Sequence, residues 1–281
     1  MRLGYSLWGM PKVPIEESLP ALAIMGYQGV ELAVTPGWNT ELARLDGATR
    51  LRIRQLLAET GLDLTAVAGH TSMLELDEAK NETNMHSLRE AIDLSAELHQ
   101  AGHPAIMASL VGGRPEDWLP LRSMLAERIR TLGEYAAQQG VILAIEPHCG
   151  TALDLPDKAV WLFEQVSHPA VRMNFDISHM DVMGIGIDEC VPIMAPLAVH
   201  THVKDQTGRY PNHIFLTPGE GPFDFVHYLR SMQGTGYNGY IVVEVSVMVQ
   251  RRPDYDPLAH AALGYRTLDR AFKAVGINRD N

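Results

Sequence analysis

Four short apolar segments in the second half of the chain each end in a side chain that can bind a metal ion. They are Val-Ile-Leu-Ala-Ile-Glu146, Val-Arg-Met-Asn-Phe-Asp176, Leu-Ala-Val-His-Thr-His202 and Ile-Val-Val-Glu244. Three carboxylates that meet at one point are costly to hold together unless a cation neutralises them. Three oxygen ligands and one imidazole suit one divalent ion, with Mn²⁺ as the first expectation and Mg²⁺, Co²⁺ or Zn²⁺ as the others. A single carboxylate at such a position is more often a helix cap, so the prediction depends on the four occurring together.

Strand-like and helix-like segments alternate from one end of the chain to the other. Strands are predicted near 3–8, 29–34, 62–68, 105–109, 141–146, 171–176, 197–202 and 240–245. Helices are predicted near 15–25, 48–60, 78–101, 116–139, 156–166, 187–194, 223–232 and 256–274. Four of these helices are expected to end at a glycine, namely Gly26, Gly61, Gly102 and Gly140.

Eight strand-helix units predict one closed (β/α)8 TIM barrel of the α/β class, a single domain over 1–281. A doubly wound open sheet is the competing layout, and it normally carries a nucleotide fingerprint after an early strand. The Gly-x-Gly-x-x-Gly match at 234–239 follows a helix and precedes a strand, which is the wrong order for a pyrophosphate site. In a barrel the carboxyl ends of all strands surround one mouth, so the four candidate ligands would converge there.

Composition excludes several classes of protein. The 281 residues carry 23 Lys and Arg against 34 Asp and Glu, a formal charge of −11, which repels nucleic acid. Two cysteines are too few for a disulfide framework, and no run of 18 apolar residues predicts a membrane span. No nucleotide-cofactor site is expected either. We therefore expect a cytoplasmic protein with a small-molecule partner, no nucleic acid and no membrane.

The motifs around these residues resemble those of the xylose isomerase-like TIM-barrel superfamily, which includes sugar phosphate isomerases and epimerases, ketose 3-epimerases and endonuclease IV. The resemblance covers essentially the whole chain. It rests on the segments Ala-Ile-Glu146-Pro-His148, Asn-Phe-Asp176-Ile-Ser-His179, His200-Thr-His202-Val-Lys204-Asp205, Pro-Gly219-Glu220-Gly221-Pro-Phe-Asp224-Phe and Val-Val-Glu244-Val. It implies a carbohydrate substrate and, by analogy, a homodimer or homotetramer.

The resemblance also implies roles for individual residues. Glu146, Asp176, His202 and Glu244 match the metal ligands of the ketose epimerases, in which the two ligand glutamates also exchange protons with the substrate. His179 matches a substrate-binding histidine. In the ketose epimerases an arginine six residues past the ligand histidine binds substrate. Gly208 stands at that position here, so the resemblance passes the role to the next residue, Arg209. A substrate-binding glutamate six residues past the first ligand is replaced by Ala152. The implied substrate contact after the seventh strand is Arg209.

Five further residues are candidate substrate contacts, each with a structural alternative. His70 and His148 follow strands and could face the substrate, or could be a hydrogen-bonded turn residue and a residue packed on proline. Glu31 could bind a sugar hydroxyl or cap a loop. Trp8 could stack on a sugar face or belong to the rim of the barrel core. Lys204 shares a strand face with His202 and could stabilise an enediolate or pair with a ligand carboxylate.

The leading hypothesis is a divalent-metal-dependent isomerase or epimerase of a small keto-sugar or keto-polyol, phosphorylated or not. A metal ion can stabilise the enediolate that forms when an α-hydroxyketone loses a proton, and two glutamates, Glu146 and Glu244, can move the protons. A lyase or dehydratase that uses the same site is the alternative. A phosphodiesterase similar to endonuclease IV is disfavoured, because the extra histidines for three zinc ions are missing. A non-catalytic sugar binder would be expected to have lost part of the ligand set.

Overall fold

Eight parallel strands close into a barrel in the computed structural model, which describes residues 1–279. The described residues contain these eight strands and a two-stranded hairpin. In chain order the ten strands are β1 (Arg2–Ser6), β2 (Gly29–Ala33), β3 (Asp63–Ala68), β4 (Ala105–Leu110), β5 (Val141–Glu146), β6 (Val171–Asp176), β7 (Ala198–Val203), β8 (Asp205–Thr207), β9 (Ile214–Leu216) and β10 (Tyr240–Val243). The barrel runs in the order β1, β10, β7, β6, β5, β4, β3, β2, while β8 and β9 form a separate antiparallel pair. The predicted TIM barrel is confirmed. The last two residues of the predicted 1–281 domain lie outside the described residues.

Helices fill the connections between the strands. They are α1 (Ile15–Met25), α2 (Gly47–Thr60), α3 (Glu78–Glu97), α4 (Trp118–Gln138), α5 (Pro156–Val166), α6 (Ile177–Val182), α7 (Ile187–Met194), α8 (Phe225–Gly234), α9 (Val247–Gln250) and α10 (Pro257–Val275). None of the helices within residues 1–279 combines the length and apolar character needed to cross a membrane.

Local capping explains where several helices begin and end. The Asp46 side chain accepts a hydrogen bond from the Thr49 amide at 2.8 Å and starts α2. Gly26 and Gly61 end α1 and α2 in the left-handed conformation, as predicted. The prediction for Gly102 was wrong, because α3 already ends at Glu97 and the residues before Gly102 form a turn.

Other boundaries also differ from the sequence-based prediction. The first strand ends at Ser6, because Leu7–Gly9 forms a 3-10 turn whose second amide is held by the Ser6 hydroxyl. The fourth helix starts two residues late, because Pro115–Asp117 forms a 3-10 turn of its own. The last strand ends at Val243, so Glu244 lies directly after it.

The sequence did not predict α6, α9 or the β8–β9 hairpin. The Asp176 carboxylate caps α6, since its Oδ1 accepts hydrogen bonds from the Ser178 amide and hydroxyl at 2.9 and 2.6 Å. The Asp205 carboxylate at the start of β8 accepts three backbone amides, those of Gly219, Gly221 and Phe223. The Gly-Glu-Gly segment that carried part of the family resemblance is therefore held in place by Asp205.

Small side chains in the barrel interior leave room for polar groups. A cluster of buried interior residues consists of Ala66, Ala68, Ile106, Ala108 and Ala144. The large apolar core lies instead between the strands and the helices. Strand register then aligns His202 of β7 with Asp176 of β6 on one side and with Val242 of β10 on the other. The candidate ligands are thus on adjacent strands at one end of the barrel.

The two glycine caps allow a matched test of helix termination. Gly61 has φ 71° with open space around the position of a Cβ, whereas at Gly26, with φ 101°, a Cβ would collide with the Tyr265 ring. Gly61→Ala should lower the free energy of unfolding by about 1–2 kcal/mol, the usual cost of a left-handed non-glycine residue. Gly26→Ala should lower it by roughly 1–3 kcal/mol more, because of the added collision. Urea denaturation checks both values, and an equal loss in the two variants would contradict the packing described here.

Candidate metal and catalytic site

The four predicted metal ligands meet at the carboxyl end of the barrel. Glu146 and Asp176 are the last residues of β5 and β6, His202 lies next to the end of β7, and Glu244 follows β10. All four are buried, with at most 7% of the residue surface exposed. One ligand atom from each lies within 4.8 Å of the corresponding atoms of the other three. The His202 Nδ1 atom is 3.2 Å from Glu146 Oε1 and 3.1 Å from Glu244 Oε2.

A buried carboxylate holds His202 from the opposite side of its ring. Glu31 Oε2 lies 2.9 Å from His202 Nε2 and 2.8 Å from His200 Nε2, and Glu31 Oε1 accepts a hydrogen bond from the Ser6 hydroxyl. In the neutral tautomer of His202 that donates its Nε2–H to Glu31 in a hydrogen bond, the Nδ1 atom is left free to bind a cation in the carboxylate cluster. A carboxylate behind a histidine is the usual way in which a metal-binding imidazole is oriented.

Lys204 supplies a positive charge within the cluster. Its Nζ atom donates to Asp176 Oδ2 and, at 2.7 Å, to Glu244 Oε2. Burial alone would lower the pKa of Lys204, but Asp176 and Glu244 raise it above its usual value. The ammonium group therefore stays protonated and offsets part of the carboxylate charge.

The carboxylates keep their negative charge despite burial. Burial favours the neutral acid, but Lys204 and then His202 lower the pKa of Glu244 to about 2. Lys204 likewise holds the pKa of Asp176 well below its usual value against burial. For Glu31, the opposing groups are His202 and His200. Burial disfavours the imidazolium form of His202, but Glu31 and Glu244 raise its pKa well above the ordinary histidine value.

The charge balance and the donor set both fit a divalent cation. Four buried carboxylates, those of Glu31, Glu146, Asp176 and Glu244, face one lysine and at most one imidazolium. An uncompensated buried charge is strongly unfavourable, so the cluster has an excess of negative charge that a dication would neutralise. Carboxylate oxygens with one imidazole are ligands that Mn²⁺, Mg²⁺, Co²⁺ and Zn²⁺ accept.

A cavity of about 110 Å³ lies beside the cluster. Its walls include the sequence-predicted residues Trp8, His70, Glu146, His148, His179, Lys204 and Glu244. A larger cavity of about 500 Å³ is found at the amino-terminal end of the barrel, but it contains none of the predicted site residues. We place the candidate site in the smaller cavity, because that is where the acidic cluster, the imidazoles and the ammonium converge.

An aromatic wall bounds one side of this cavity. The Trp8 ring stacks on Trp38 with a centroid distance of 4.3 Å, and the edge of His70 meets Trp8 at 5.1 Å. His70 Nδ1 is buried and makes no hydrogen bond to the described residues. A substrate hydroxyl could satisfy this nitrogen, and the Trp8 face could cover the apolar side of a sugar.

His179 and His148 form the opposite wall. Their ring centroids are 3.7 Å apart, and His179 Nε2 lies 3.4 Å from Asp176 Oδ2. Burial and the neighbouring His148 lower the pKa of His179 well below the usual value. His179 is therefore a neutral imidazole at pH 7, suited to hydrogen bonding rather than to proton donation.

Two residues predicted to contact the substrate, Glu31 and Arg209, do not line the small cavity. Glu31 is fully buried within the barrel and does not line the cavity, because both its oxygens are engaged by Ser6 and by the two histidines of β7. Arg209 is carried away from the cavity by the β8–β9 hairpin. Its side chain is 63% exposed, and Nη1 lies 3.8 Å from Asp181 Oδ2. Neither side chain lines the small cavity, and the substrate contacts of Glu31 and Arg209 stay predictions.

Sequence reasoning missed Cys149 and His213. Cys149 Sγ lies 3.2 Å from His179 Nδ1 and 3.9 Å from His213 Nε2. These residues come from the loop after β5, from α6 and from the β8–β9 hairpin, so no spacing in the sequence signals their approach. Burial raises the pKa of the Cys149 thiol to about 12, which makes it a poor nucleophile.

Comparison with known proteins identifies the family. A family model described as a xylose isomerase-like TIM barrel matches residues 19–266. The chain belongs to this family. The resemblance inferred from the motifs is thereby confirmed.

Curated relatives of the xylose isomerase-like chain include both dehydratases and epimerases. The rhizopine catabolism protein MocC of Rhizobium meliloti is 27% identical over 94% of this chain and 83% of its own length. Fructoselysine 3-epimerase of Shigella flexneri is 25% identical over 90% of this chain and 93% of its own. Inosose dehydratase of Salmonella typhimurium is 27% identical, but the match covers only 53% of this chain and 54% of that enzyme.

Solved structures share the barrel at lower identity. A xylose isomerase-like TIM barrel protein from Mycobacterium smegmatis in complex with magnesium has a TM-score of 0.72 and 20% identity, covering 98% of this chain and 97% of that one. The IOLI protein with a bound zinc atom has a TM-score of 0.79 and 15% identity, covering 98% of each chain. At these identities the likeness concerns the fold.

Replacing Lys204 should make the stability of the protein depend more strongly on a bound divalent cation. In metal-free protein, Lys204→Met leaves the Asp176 and Glu244 carboxylates buried without their shared ammonium, so the free energy of unfolding should fall by about 3–5 kcal/mol. A divalent cation should restore stability to this variant more than it stabilises the wild type. Urea unfolding with chelator and with Mn²⁺ measures both effects.

A matched control is Lys158→Met, which breaks the 2.6 Å pair between Lys158 and Asp154 outside the cavity. This variant should lose stability in the metal-free state but gain no more from Mn²⁺ than the wild type does. Equal stabilisation of all three proteins by Mn²⁺ would contradict the charge balance described above.

The carboxylate behind His202 should control metal affinity. Glu31→Gln weakens the hold on the His202 ring and changes which nitrogen carries its proton, so affinity for Mn²⁺ should drop by about 10–100-fold. Ser6→Ala, which removes one hydrogen bond to Glu31 but leaves both histidine contacts, should change affinity much less. Isothermal titration on chelator-treated protein gives the two constants, and an unchanged affinity in Glu31→Gln would refute the orienting role.

Proposed function

We propose that the protein is a divalent-metal-dependent isomerase or epimerase of a small keto-sugar or keto-polyol, phosphorylated or not. One observation carries the proposal: Glu146 and Glu244 both line the cavity and both belong to the cluster around His202. Two carboxylates that face one cavity can divide proton removal and proton return between them. The epimerases and dehydratases among the relatives support chemistry at the carbon next to a carbonyl.

Glu146, Asp176, His202 and Glu244 would hold the cation, with Mn²⁺ as the first expectation and Mg²⁺, Co²⁺ or Zn²⁺ as the others. When bound, such an ion polarises the oxygens of an α-hydroxyketone and stabilises the negative charge that develops when the neighbouring carbon is deprotonated. The magnesium and zinc found in proteins of the same fold support a divalent metal in this protein.

Proton transfer is assigned to the two glutamates. Glu244 is ionised at neutral pH, because its pKa is lowered to about 2, so it is available as a base. Glu146 is the partner that moves the second proton. Return of a proton to the same carbon on the opposite face gives an epimer, and return to the neighbouring carbon gives an aldose-ketose isomer.

The remaining cavity residues would bind and orient the substrate. The Lys204 ammonium stays protonated and can donate to an oxygen on which negative charge develops. Trp8 would cover the apolar face of the sugar, and His70 would bind a hydroxyl through its free Nδ1. His148 and His179 would contact the substrate from the other wall.

A dehydratase or lyase is the second candidate function. Two features favour it: Arg209 lies outside the cavity, and Ala152 is a fully buried apolar residue where the ketose epimerase pattern has a glutamate. The match to inosose dehydratase supports the same reading. After proton removal by a glutamate, the half-buried His148 on the cavity wall would protonate the departing hydroxyl.

Deuterium incorporation distinguishes the two reactions. Metal-loaded protein is incubated in D₂O with free and phosphorylated ketoses, inososes and keto-glycosides, and the quenched products are analysed by NMR and mass spectrometry. We expect deuterium at the carbon beside the carbonyl, together with a new epimer or isomer. Glu146→Gln and Glu244→Gln should each slow incorporation by about 10²–10⁴-fold, the usual worth of a general acid or base.

Glu220→Gln is the matched control, because Glu220 pairs with Arg252 and does not line the cavity. The Glu220→Gln variant should catalyse deuterium incorporation into the substrate at the wild-type rate. An unsaturated product would move the assignment to the dehydratase. Absence of exchange with every compound, in protein shown to contain metal, would overturn both candidates. The cytoplasmic location and the homo-oligomeric state stay predictions.

A further inference from the structure

The larger cavity, of about 500 Å³ at the amino-terminal end of the barrel, has no task in the proposed reaction. The described residues that line it and those that line the small cavity have no member in common. Residues 235–239 of the Gly-x-Gly-x-x-Gly segment form part of its wall. Small-molecule pockets in proteins have volumes of about 300–1,000 Å³, so this cavity is large enough for a ligand.

The wall of this cavity contains a buried hydroxyl group without a partner. Thr65 of β3 lines the cavity and is only 5% exposed. Its Oγ1 atom makes no hydrogen bond to the described residues. Buried polar groups are nearly always hydrogen-bonded in folded proteins, and an unpaired one is unfavourable. The Thr65 hydroxyl is therefore available to a polar group of a ligand.

The fixed positive charge in the wall is already neutralised by the protein. Arg2 Nη1 donates to Asp63 Oδ2 at 2.6 Å, and Arg2 Nη2 lies 3.1 Å from His103 Nδ1. The guanidinium group also lies over the Tyr240 ring, 4.4 Å from its centre. The described residues that line the cavity include no carboxylate. The wall therefore offers no unbalanced charge to an ionic ligand.

Helix termini make the same end of the barrel unfavourable for an anion. Residues 195–196, which follow α7, and residues 235–239, which follow α8, both line the cavity. The carboxyl end of a helix carries partial negative charge, which repels a phosphate or carboxylate group. Together with the pairing of Arg2, this arrangement favours a neutral ligand.

Two tyrosines offer ring surface to the cavity. The Tyr237 hydroxyl donates to the Tyr240 carbonyl at 2.9 Å, and the Tyr240 hydroxyl donates to Asp63. Gly239 permits this arrangement, because a Cβ at that position would lie 2.5 Å from the Tyr237 hydroxyl. Since both hydroxyls are engaged by the protein, the rings are the parts that a ligand can contact. Aromatic rings pack well against apolar surface, such as the C–H face of a sugar.

We propose that this cavity is a second binding site, for a neutral polyhydroxylated molecule such as an uncharged sugar or cyclic polyol. The Thr65 hydroxyl binds a hydroxyl group of the ligand, and the tyrosine rings contact its C–H surface. His200 also lines the cavity, and its Nε2 lies 2.8 Å from Glu31 Oε2. The second site thus lies behind the residues that orient His202, on the side away from the small cavity.

Two neutral compounds without a carbonyl group test the proposal, because the proposed reaction cannot consume them. Chelator-treated full-length protein is titrated with myo-inositol and with methyl α-D-glucopyranoside by isothermal titration calorimetry. We expect saturable binding of at least one of them. A monophosphate of the bound compound should bind roughly tenfold more weakly or worse, because the site lacks a free cation and faces helix carboxyl ends.

Thr65→Val keeps the volume of the side chain but removes the hydroxyl, so affinity should fall by about fivefold to tenfold. Thr40→Val is the matched control. Thr40 is also buried, but its hydroxyl donates to the Ala33 carbonyl at 2.6 Å, and Thr40 does not line the cavity. This control should keep the wild-type affinity. Val199→Phe adds bulk to the cavity wall and should abolish binding.

Trp8→Ala separates the two cavities, because Trp8 lines only the small one. It should keep the wild-type affinity for the neutral compound. Loss of binding in Trp8→Ala with normal binding in Thr65→Val would place the compound in the small cavity and overturn the proposal.

The proposal is also overturned if neither compound binds wild-type protein, if Thr65→Val binds as tightly as the wild type, or if the monophosphate binds as tightly as the neutral compound. Circular dichroism verifies that each variant is folded, and Thr65→Val alone decides the outcome if Val199→Phe does not fold. Because no turnover is measured, failure here is distinct from failure of the proposed isomerase or dehydratase reaction.

Discussion

Burial of four carboxylates around one imidazole and one ammonium is the constraint on which the rest of the site depends. Ionised groups removed from water must be compensated by nearby opposite charge, and Lys204 with His202 compensates only part of the total. The same interactions that keep Asp176 and Glu244 ionised also fix the positions of their side chains. A divalent cation would complete the balance, and the ionised glutamate next to it would then be available as a base.

The barrel geometry is what made the acidic cluster predictable from sequence. Glu146, Asp176 and His202 each end or nearly end a short apolar strand, and Glu244 follows another, so parallel closure brings them to one mouth. Alternation continued one residue past the end of β7 also places Lys204 on the side of His202, in agreement with its contact with Asp176. The fold and the acidic cluster could thus be predicted from the sequence, because both follow from strand periodicity and from the shared direction of the strands.

Contacts made by loops and inside the barrel could not be predicted from the sequence in the same way. The position of Arg209 depends on a short hairpin, and the approach of Cys149 to His179 joins the loop after β5 to α6, thirty residues further along the chain. Glu31 was placed among the substrate contacts because it ends a predicted strand, but inside the barrel its oxygens are engaged by Ser6 and by two histidines from β7. Periodicity gives the face on which a side chain lies, whereas its partner depends on packing.

Anomalous diffraction from crystals soaked in Mn²⁺ tests the central claim most directly. The account predicts a manganese peak within bonding distance of Glu146, Asp176, His202 and Glu244, with Glu31 still hydrogen-bonded to the far nitrogen of His202. Absence of a peak among these four residues, in crystals that contain excess Mn²⁺ and retain Lys204 between Asp176 and Glu244, would contradict it. The protein would then balance its buried carboxylates with its own side chains alone.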